Sequence, residues 1–423
     1  MDALAALCAA DADPWALVDA LQSLLPPEQK GQDPVAPSAD SIQEFLEWAD
    51  APQHLRIAPS KIQGAGLSVY TKKSIAKDEL ILSVGYFRTI SLVNTEEEFR
   101  EMVEADPIMS GSQSLQLGLS LLVLEDIVDF WRPYYAILPQ TFPSLPWTMN
   151  RSQLEMFKGT SFLVSVIFRQ LKNIARQFVY LSRHPLVRFF LPGDRFSFSR
   201  FQWAMAIAAT RQNYIPGTGM ALVPLYDMVN HEPGDISSFS GETKLELFAS
   251  RDMGIDSEVF MSYGNRSNAE LLAYSGFVDS INTFDRSISI PTKLPTTGTL
   301  KMRRLRESAL KASKLGGQTI LCLEVGMGPD SDAWKYLRVF SADEAELEVL
   351  VSGGGGKKAT LDSLDAKVKT WLQARCKILL MGLERGRREP DQSDKSLQLA
   401  FSLAEQIRAV EKGVVTNILE SLL

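Results

Sequence analysis

The chain has 423 residues, of which 45% are hydrophobic and 22% charged, and its formal net charge is −7. This composition is that of a globular protein with a substantial core. The acidic balance argues against a dominant nucleic-acid interface, because phosphate binding needs a basic face. With only three cysteines, far apart, and three histidines, we expect neither a disulfide framework nor a metal site.

The first 40 residues predict a helical extension followed by a Pro-rich linker. Residues 1–27 contain four Asp and no Lys or Arg, a pattern that fits neither a secretion signal nor a transit peptide. No apolar run approaches the roughly 18 residues that a membrane helix needs. We therefore expect a cytoplasmic protein without membrane contact, and a nuclear location stays open.

Strand-rich and helical blocks follow one another along the rest of the chain. Ser41–Glu44 matches a helix-capping box, and residues 61–84 predict a β meander. Apolar residues three and four apart then predict a helical insert over about residues 94–205, interrupted at 131–139 by a proline-containing loop. Strand-like segments return between residues 219 and 290, and the remainder reads as helical.

This order predicts an α+β protein in three parts. Residues 1–40 form the N-terminal helical extension and linker. Residues 41–290 form a catalytic domain that carries the helical insert. Residues 291–423 form an all-α C-terminal domain, which we expect to bind the substrate.

Four segments concentrate the residues that could carry chemistry: QGAGL (63–67), TRQN (210–213), DMVNH (227–231) and SYGNRSNAELLAYSGF (262–277). A GxSxG elbow and a phosphate-binding GxxxxGK[ST] loop are both missing from the sequence. Taken singly, the residues have plainer interpretations. His231 suits a hydrogen-bonded core position, Tyr263 a turn, Asn213 a helix C-cap and Tyr134 simple packing.

Taken together, DMVNH and SYGNRSNAE resemble the paired signature of SET-domain protein methyltransferases. The long insert and the helical C-terminal region resemble the subgroup typified by the Rubisco lysine methyltransferases. This resemblance implies a SET-domain β fold with a knotted C-terminal element, S-adenosyl-L-methionine as cofactor and a protein substrate. TRQN, LVPLYDMVNH and FWRPYYAILP are similar to the histidine-methylating branch, which implies protein-histidine methylation of actin. We expect the chain to act as a monomer.

The resemblance also implies roles for individual residues. Tyr263 and Asn213 are the expected catalytic residues. The expected cofactor-binding residues are Gln63, Gly64, Ala65, Arg211, Asp227, Met228, Val229, Asn230, His231, Tyr263, Ser275, Gly276 and Phe277. The expected substrate-binding residues are Gln212, Asn213, Tyr214, Tyr226 and Arg266.

The acceptor residue decides which groups the pocket needs. A lysine has an ordinary pKa near 10.4 and must lose a proton before attack, whereas an imidazole, with a pKa near 6.5, is mostly neutral at pH 7. A histidine acceptor therefore needs only the correct tautomer, which the side-chain amide of Asn213 can select. Tyr214 and Tyr226 replace Gln and Trp of the family, so an aromatic lysine channel remains the alternative. A catalytically silent substrate-binding module is a third hypothesis.

Overall fold

The computed structural model describes residues 1–9, 12–26, 36–62, 66–127, 129–234, 237–295, 297–352, 357–387 and 389–422. The chain divides into two compact units. Unit 1 comprises Met1–Arg151, Leu171–Arg266 and Glu270–Asn282. Unit 2 comprises Ser152–Gln170, Ser267–Ala269 and Thr283–Leu423. The expected division at residues 40 and 290 stays a prediction.

Helices make up most of the regular structure. The α-helices are α1 Asp2–Leu7, α2 Pro14–Ser23, α3 Ala39–Trp48, α4 Glu97–Ala105, α5 Pro107–Ser110, α6 Gln113–Ile127, α7 Arg132–Tyr135, α8 Arg151–Glu155, α9 Phe168–Leu181, α10 Pro185–Phe190, α11 Phe198–Arg211, α12 Asn268–Ser275, α13 Leu300–Ala312, α14 Asp332–Ser341, α15 Glu344–Ser352, α16 Lys357–Arg385 and α17 Lys395–Ser421. Short 3-10 helices cover Tyr86–Arg88, Leu92–Asn94, Asp129–Trp131, Pro146–Thr148, Gly193–Phe196 and Tyr226–Met228, and a π-helix covers Leu163–Ile167. Within the described residues, no helix combines the length and the apolar character needed to cross a bilayer.

The strands form several small sheets. They are β1 Leu55–Pro59, β2 Leu67–Thr71, β3 Leu80–Gly85, β4 Gln212–Ile215, β5 Gly219–Leu222, β6 Asn230–His231, β7 Ser238–Ser240, β8 Lys244–Phe248, β9 Phe260–Met261, β10 Ser287–Pro291 and β11 Ile320–Glu324. β1–β2, β4–β5 and β10–β11 are antiparallel pairs, and β3, β8 and β7 form an antiparallel sheet in that order. β6 pairs with β9 in parallel.

In unit 1, a close helix pair supports the functional region. α6 is buried over Leu115–Val123 except at the half-buried Gln116, and its buried residues include the small Gly118 and Ser120. α11 packs on α6, and a β-carbon at Gly118 would lie 3.0 Å from Met205 Sδ. Because both helices are apolar where they meet, their packing fixes where α11 ends.

In unit 2, a single apolar cluster joins β10, β11 and the C-terminal helices. Ile290, Leu321, Leu337, Leu372 and Val415 are among its fully buried members. The segment before α9 packs against α16 at very short range, because a β-carbon at Gly386 would lie 1.8 Å from the Lys158 carbonyl oxygen. Glycine is therefore required at that contact.

The structure corrects several details of the sequence interpretation. α3 begins at Ala39 with Ser38 as its N-cap, so the capping box placed at Ser41 is wrong. Residues 132–135 are helical, since Pro133 lies in the first turn, where its missing N–H costs nothing. The C-terminal region is mainly helical as expected, but β11 shows that it is not all-α.

Candidate functional site

Helix α11 ends at Arg211, and the hairpin after it carries the next three predicted residues. Gln212 has an extended backbone, ends the helix and begins β4. Asn213 therefore lies in a strand opposite Ala221, and its interpretation as a helix C-cap is wrong. Gly217 and Gly219, both with positive φ, make the hairpin turn.

A strained backbone at Leu225 connects the hairpin to the DMVNH segment. Leu225 is buried and has φ 70° and ψ −46°, a conformation that costs a non-glycine residue on the order of 1–3 kcal/mol. The chain bends there into the 3-10 turn Tyr226–Met228 and then enters β6. Since β6 pairs with β9, residues 226–231 and residues 260–264 are neighbours in space.

Asp227 is the buried acidic group of the site, with its side chain 0% exposed. Its Oδ2 accepts a hydrogen bond from Tyr134 Oη and lies 3.6 Å from Arg211 Nη1. Arg211 Nη1 also donates to the Asp227 carbonyl at 3.1 Å. Burial raises the pKa of Asp227, and the Arg211 charge and the Tyr134 hydroxyl offset part of that rise. The other oxygen, Oδ1, has no hydrogen-bond partner among the described residues.

Asn230 is held by a second buried carboxylate, Glu258. Asn230 Nδ2 donates to Glu258 Oε1 at 3.0 Å, and Ser60 Oγ donates to the same oxygen at 2.7 Å. Burial opposes ionisation of Glu258, but the hydrogen bonds it accepts outweigh burial and lower its pKa. Glu258 is therefore a carboxylate at neutral pH, an acceptor of hydrogen bonds only.

His231, Tyr263 and Phe277 form an aromatic cluster, with ring centroids 5.0 Å apart for His231–Tyr263, 5.8 Å for His231–Phe277 and 6.3 Å for Tyr263–Phe277. The Tyr263 backbone N–H donates to His231 Nδ1 at 3.0 Å, and burial lowers the pKa of His231, so the imidazole is neutral at pH 7. Tyr263 Oη donates to the Val229 carbonyl at 3.0 Å. Burial raises the pKa of Tyr263 to about 12, and its hydroxyl keeps its proton.

The chain after α12 closes one side of this cluster. Gly276 has φ 79°, and a β-carbon there would lie 2.7 Å from Ser144 Oγ. The position therefore requires glycine both for its backbone conformation and for space. Ser275 Oγ is buried and has no hydrogen-bond partner in the described parts of the chain.

The predicted substrate residues differ in their surroundings. Gln212 Oε1 accepts a hydrogen bond from Ser114 Oγ at 2.9 Å, whereas Asn213 Nδ2 donates to the Arg211 carbonyl at 3.0 Å. Tyr226 is 3% exposed and donates its hydroxyl to Ser238 Oγ, while Tyr214 is 60% exposed. Burial raises the pKa of Tyr226.

The remaining predicted site residues lie in several different environments. Met228 and Val229 are buried. The backbone carbonyl of Arg266 accepts a hydrogen bond from Asn282 Nδ2 at 2.8 Å. Gln63, Gly64 and Ala65 lie outside the described residues. Every other predicted site residue belongs to unit 1.

Two residues of the site were missed or misread in the sequence. Tyr134 is fully buried, but besides packing it donates a hydrogen bond to Asp227. Its place in FWRPYYAILP, one of the segments that carry the family resemblance, was the available signal. Glu258 had a weaker signal, an acidic residue at the start of the apolar segment EVFM.

Comparison with known proteins places this arrangement in a class. A model of the SET domain matches residues 66–264. The SET domain of LSMT, solved with lysine and AdoHcy, superposes with a TM-score of 0.70 at 17% identity, covering 91% of this chain and 92% of that chain. A structure of Rubisco LSMT bound to AdoMet gives a TM-score of 0.70 at 17% identity, covering 90% and 91%. Residues 66–264 match the SET-domain model, and the expected SET-domain fold is confirmed. The knotted element stays a prediction.

The relatives found by sequence comparison are more specific. The actin-histidine N-methyltransferase of Drosophila melanogaster is 29% identical over 429 residues, covering 90% of this chain and 77% of the relative. The actin-histidine N-methyltransferase of Xenopus tropicalis is 27% identical over 418 residues, covering 90% and 70%. The similarity extends well beyond the residues that match the SET-domain model.

Proposed function

We propose that this chain is an S-adenosyl-L-methionine-dependent protein-histidine N-methyltransferase that acts on actin. The observation that carries the proposal is the similarity to actin-histidine N-methyltransferases over 90% of the chain, together with the SET domain inside it. The site adds independent support, because its donors and acceptors suit both the cofactor and an imidazole acceptor.

The residues present fit this cofactor. Both contacts of Arg211 with Asp227 use Nη1, so a carboxylate can bind the other nitrogen atoms of the guanidinium fork. The unpartnered Ser275 Oγ and the aromatic cluster offer a polar contact and flat apolar surfaces to an adenosyl group. Met228, Val229 and Gly276, also predicted to bind the cofactor, belong to the same proposed surface.

When bound, the cofactor supplies an electrophilic methyl group on a sulfonium. Tyr263 contributes a hydroxyl whose proton is engaged by the Val229 carbonyl, so its oxygen lone pairs remain to accept weak C–H contacts. With its pKa raised to about 12, Tyr263 carries no negative charge that would compete as a nucleophile at neutral pH. Its role in the proposal is to orient the methyl group.

Asn213 favours a histidine acceptor. Its Nδ2 is engaged by the Arg211 carbonyl, so its Oδ1 is the end of the amide that can contact a substrate. An acceptor oxygen binds the N–H of a neutral imidazole and leaves the lone pair of the other ring nitrogen free to attack. With the cofactor bound, attack by this ring nitrogen would form the N–C bond as the S–C bond to the methyl group breaks, and the methylated imidazolium would then release its N–H proton. Gln212 binds Ser114 instead, so the amide role falls to Asn213.

Transfer of labelled methyl groups tests the proposal. The purified chain, labelled cofactor and actin are incubated, and mass spectrometry of actin peptides locates the modified residue. We expect label on one histidine and loss of that label when this histidine is replaced by alanine. Label that remains on actin after this replacement contradicts the proposal. Tyr263→Phe serves as a control, and we expect it to retain AdoHcy binding while losing turnover.

Lysine methylation of a non-histone protein is the second candidate. It would be favoured by an aromatic channel built from Tyr214 and Tyr226. The contrast between an exposed Tyr214 and a buried Tyr226 bound to Ser238 does not favour such a channel. Profiling of methylated residues after incubation with cell lysate separates the two candidates, because the first yields methylhistidine and the second methyllysine.

We also propose that the protein is monomeric and cytoplasmic, with the nucleus as an alternative location. The predicted substrate role of Arg266 and the cofactor role of residues 63–65 belong to the same proposal. Light scattering after gel filtration tests the first point, and cell fractionation tests the second. Substitution of Arg266 by Ala, with cofactor binding unchanged and the KM for actin raised, would support its role.

A further inference from the structure

Glu258 joins three separate parts of unit 1 through one buried carboxylate. Its Oε2 accepts hydrogen bonds from Tyr70 Oη at 3.0 Å and from the Lys61 backbone N–H at 3.2 Å. Its Oε1 accepts from Ser60 Oγ at 2.7 Å and from Asn230 Nδ2 at 3.0 Å. Residue 258 is 7% exposed, so these four donors replace water around a charge that would otherwise be costly to bury.

The neighbouring cations do not contact this carboxylate directly. The Arg56 guanidinium lies 4.5 Å from the Tyr70 ring centre and Lys61 Nζ lies 5.8 Å from it. Among the described residues, no Lys or Arg lies within ion-pair distance of Glu258. The contacts of Glu258 are therefore its four hydrogen bonds, one of which is donated by the predicted cofactor residue Asn230.

A carboxylate can accept hydrogen bonds but not donate them, which makes its contact with an amide directional. Glu258 can bind only the Nδ2 end of Asn230, so the Oδ1 end must point elsewhere. We propose that Glu258 is a positioning residue that turns Asn230 Oδ1 toward the ligand as an acceptor for a ligand ammonium group. Through Ser60 and Lys61 it also fixes the chain just before residues 63–65.

This inference rests on the proposed function in taking S-adenosyl-L-methionine and its product as the ligands. It predicts a selectivity. Ligands with an α-amino group should depend on Glu258, and the same ligands without that group should not. The matched pair of probes is AdoHcy and its deamino analogue, 5′-S-(3-carboxypropyl)thioadenosine, both measured by calorimetry without any actin.

Glu258→Gln places an NH₂ group opposite two of the four donors and removes the directional constraint on Asn230. We expect the Kd of AdoHcy to rise roughly tenfold or more, as for loss of a hydrogen bond to a charged group, with the Kd of the deamino analogue changed less than about threefold. Glu246→Gln, at a carboxylate that pairs with Lys244, is the matched control and should change neither Kd. Equal losses for both probes, or no loss for either, overturn the proposal.

A double-mutant cycle tests whether Glu258 acts through Asn230. In an Asn230→Ala background, Glu258→Gln should cause little further loss of selectivity, and a full additional loss overturns the proposal. If Glu258→Gln does not fold, the wild-type protein still gives an answer. The Asn230 side-chain NH₂ signals should exchange slowly with solvent with and without AdoHcy, and fast exchange overturns the proposal. Failure of AdoHcy to bind the wild type overturns the proposed cofactor instead.

Discussion

Replacing Tyr134 by Phe removes one hydroxyl from the Asp227 site and leaves the buried ring in place. The lost hydrogen bond ends on a carboxylate whose side chain is 0% exposed. Such charge-assisted bonds contribute about 1.5–3 kcal/mol, and no solvent reaches Asp227 to replace this one. Asp227 Oδ1 has no partner among the described residues, so after the substitution only Arg211 Nη1, 3.6 Å away, compensates the side-chain charge. We expect the free energy of unfolding to fall by about 2–3 kcal/mol at pH 8.

The stability cost of Tyr134→Phe depends on pH through the ionisation of Asp227. In the wild type, the folded-state pKa of Asp227 is already raised above its ordinary value, and loss of the Tyr134 donor raises it further. The variant loses its full share of the free energy of unfolding only at pH values above the folded-state pKa of Asp227 in both the wild type and the variant, where Asp227 is ionised. This loss shrinks as the pH falls through these two pKa values, because protonation removes the uncompensated charge.

Urea unfolding followed by tryptophan fluorescence at pH 8 and pH 5 measures the effect. Tyr135→Phe is the matched control, since the hydroxyl of Tyr135 donates to the neutral Leu121 carbonyl at 2.5 Å. We expect its cost to be smaller and equal at the two pH values. At pH 8, a Tyr134→Phe cost no larger than the Tyr135→Phe cost refutes the assignment of a buried, ionised Asp227.

Three further predictions follow from single sites. Gly276→Ala should destabilise the protein more than Gly217→Ala. Both glycines have positive φ, but an added β-carbon would contact a neighbouring atom only at Gly276. We expect the free energies of unfolding of the two variants, measured in urea, to differ by about 1–3 kcal/mol. Gly386→Ala should lower the Tm, whereas Gly413→Ala, in open space on α17, should raise stability by up to about 1 kcal/mol. Burial lowers the pKa of His231, so its NMR titration should have a midpoint below pH 6.5. The stability that the neutral imidazole contributes should then be lost as the pH falls from 6.5 through that midpoint. A midpoint above pH 6.5 contradicts the burial of His231.

Local pattern was enough to predict most of the helices and strands. Apolar spacing located α6, α9 and α11, because helices that bury one or more faces carry that spacing in their sequence. The DMVNH and SYGNRSNAE segments contain their functional residues within a few positions of one another. The fold could therefore be predicted from the sequence, and so could the two segments that the β6–β9 pair brings close together.

Contacts between residues far apart in the sequence could not be predicted from local pattern. Tyr134 and Asp227 are 93 residues apart, and Asn230 and Glu258 are 28 residues apart. Around Tyr134, the family resemblance of FWRPYYAILP was the one signal of a role beyond packing, and it did not identify Asp227 as the partner. β11 was missed for a related reason, since β10, the strand it pairs with among the described residues, precedes it by a full helix.

The parallel pair of β6 and β9 has a consequence for how the protein is made. It is two residues long and joins segments that no tight turn connects, so the chain must close a long loop before either segment gains a partner. We expect such contacts to form late in folding and to open early, because so short a pair has little stability of its own. A ligand that binds only the closed pair adds stability in proportion to the logarithm of its concentration. We therefore expect the yield of folded protein during synthesis to depend on the supply of the cofactor.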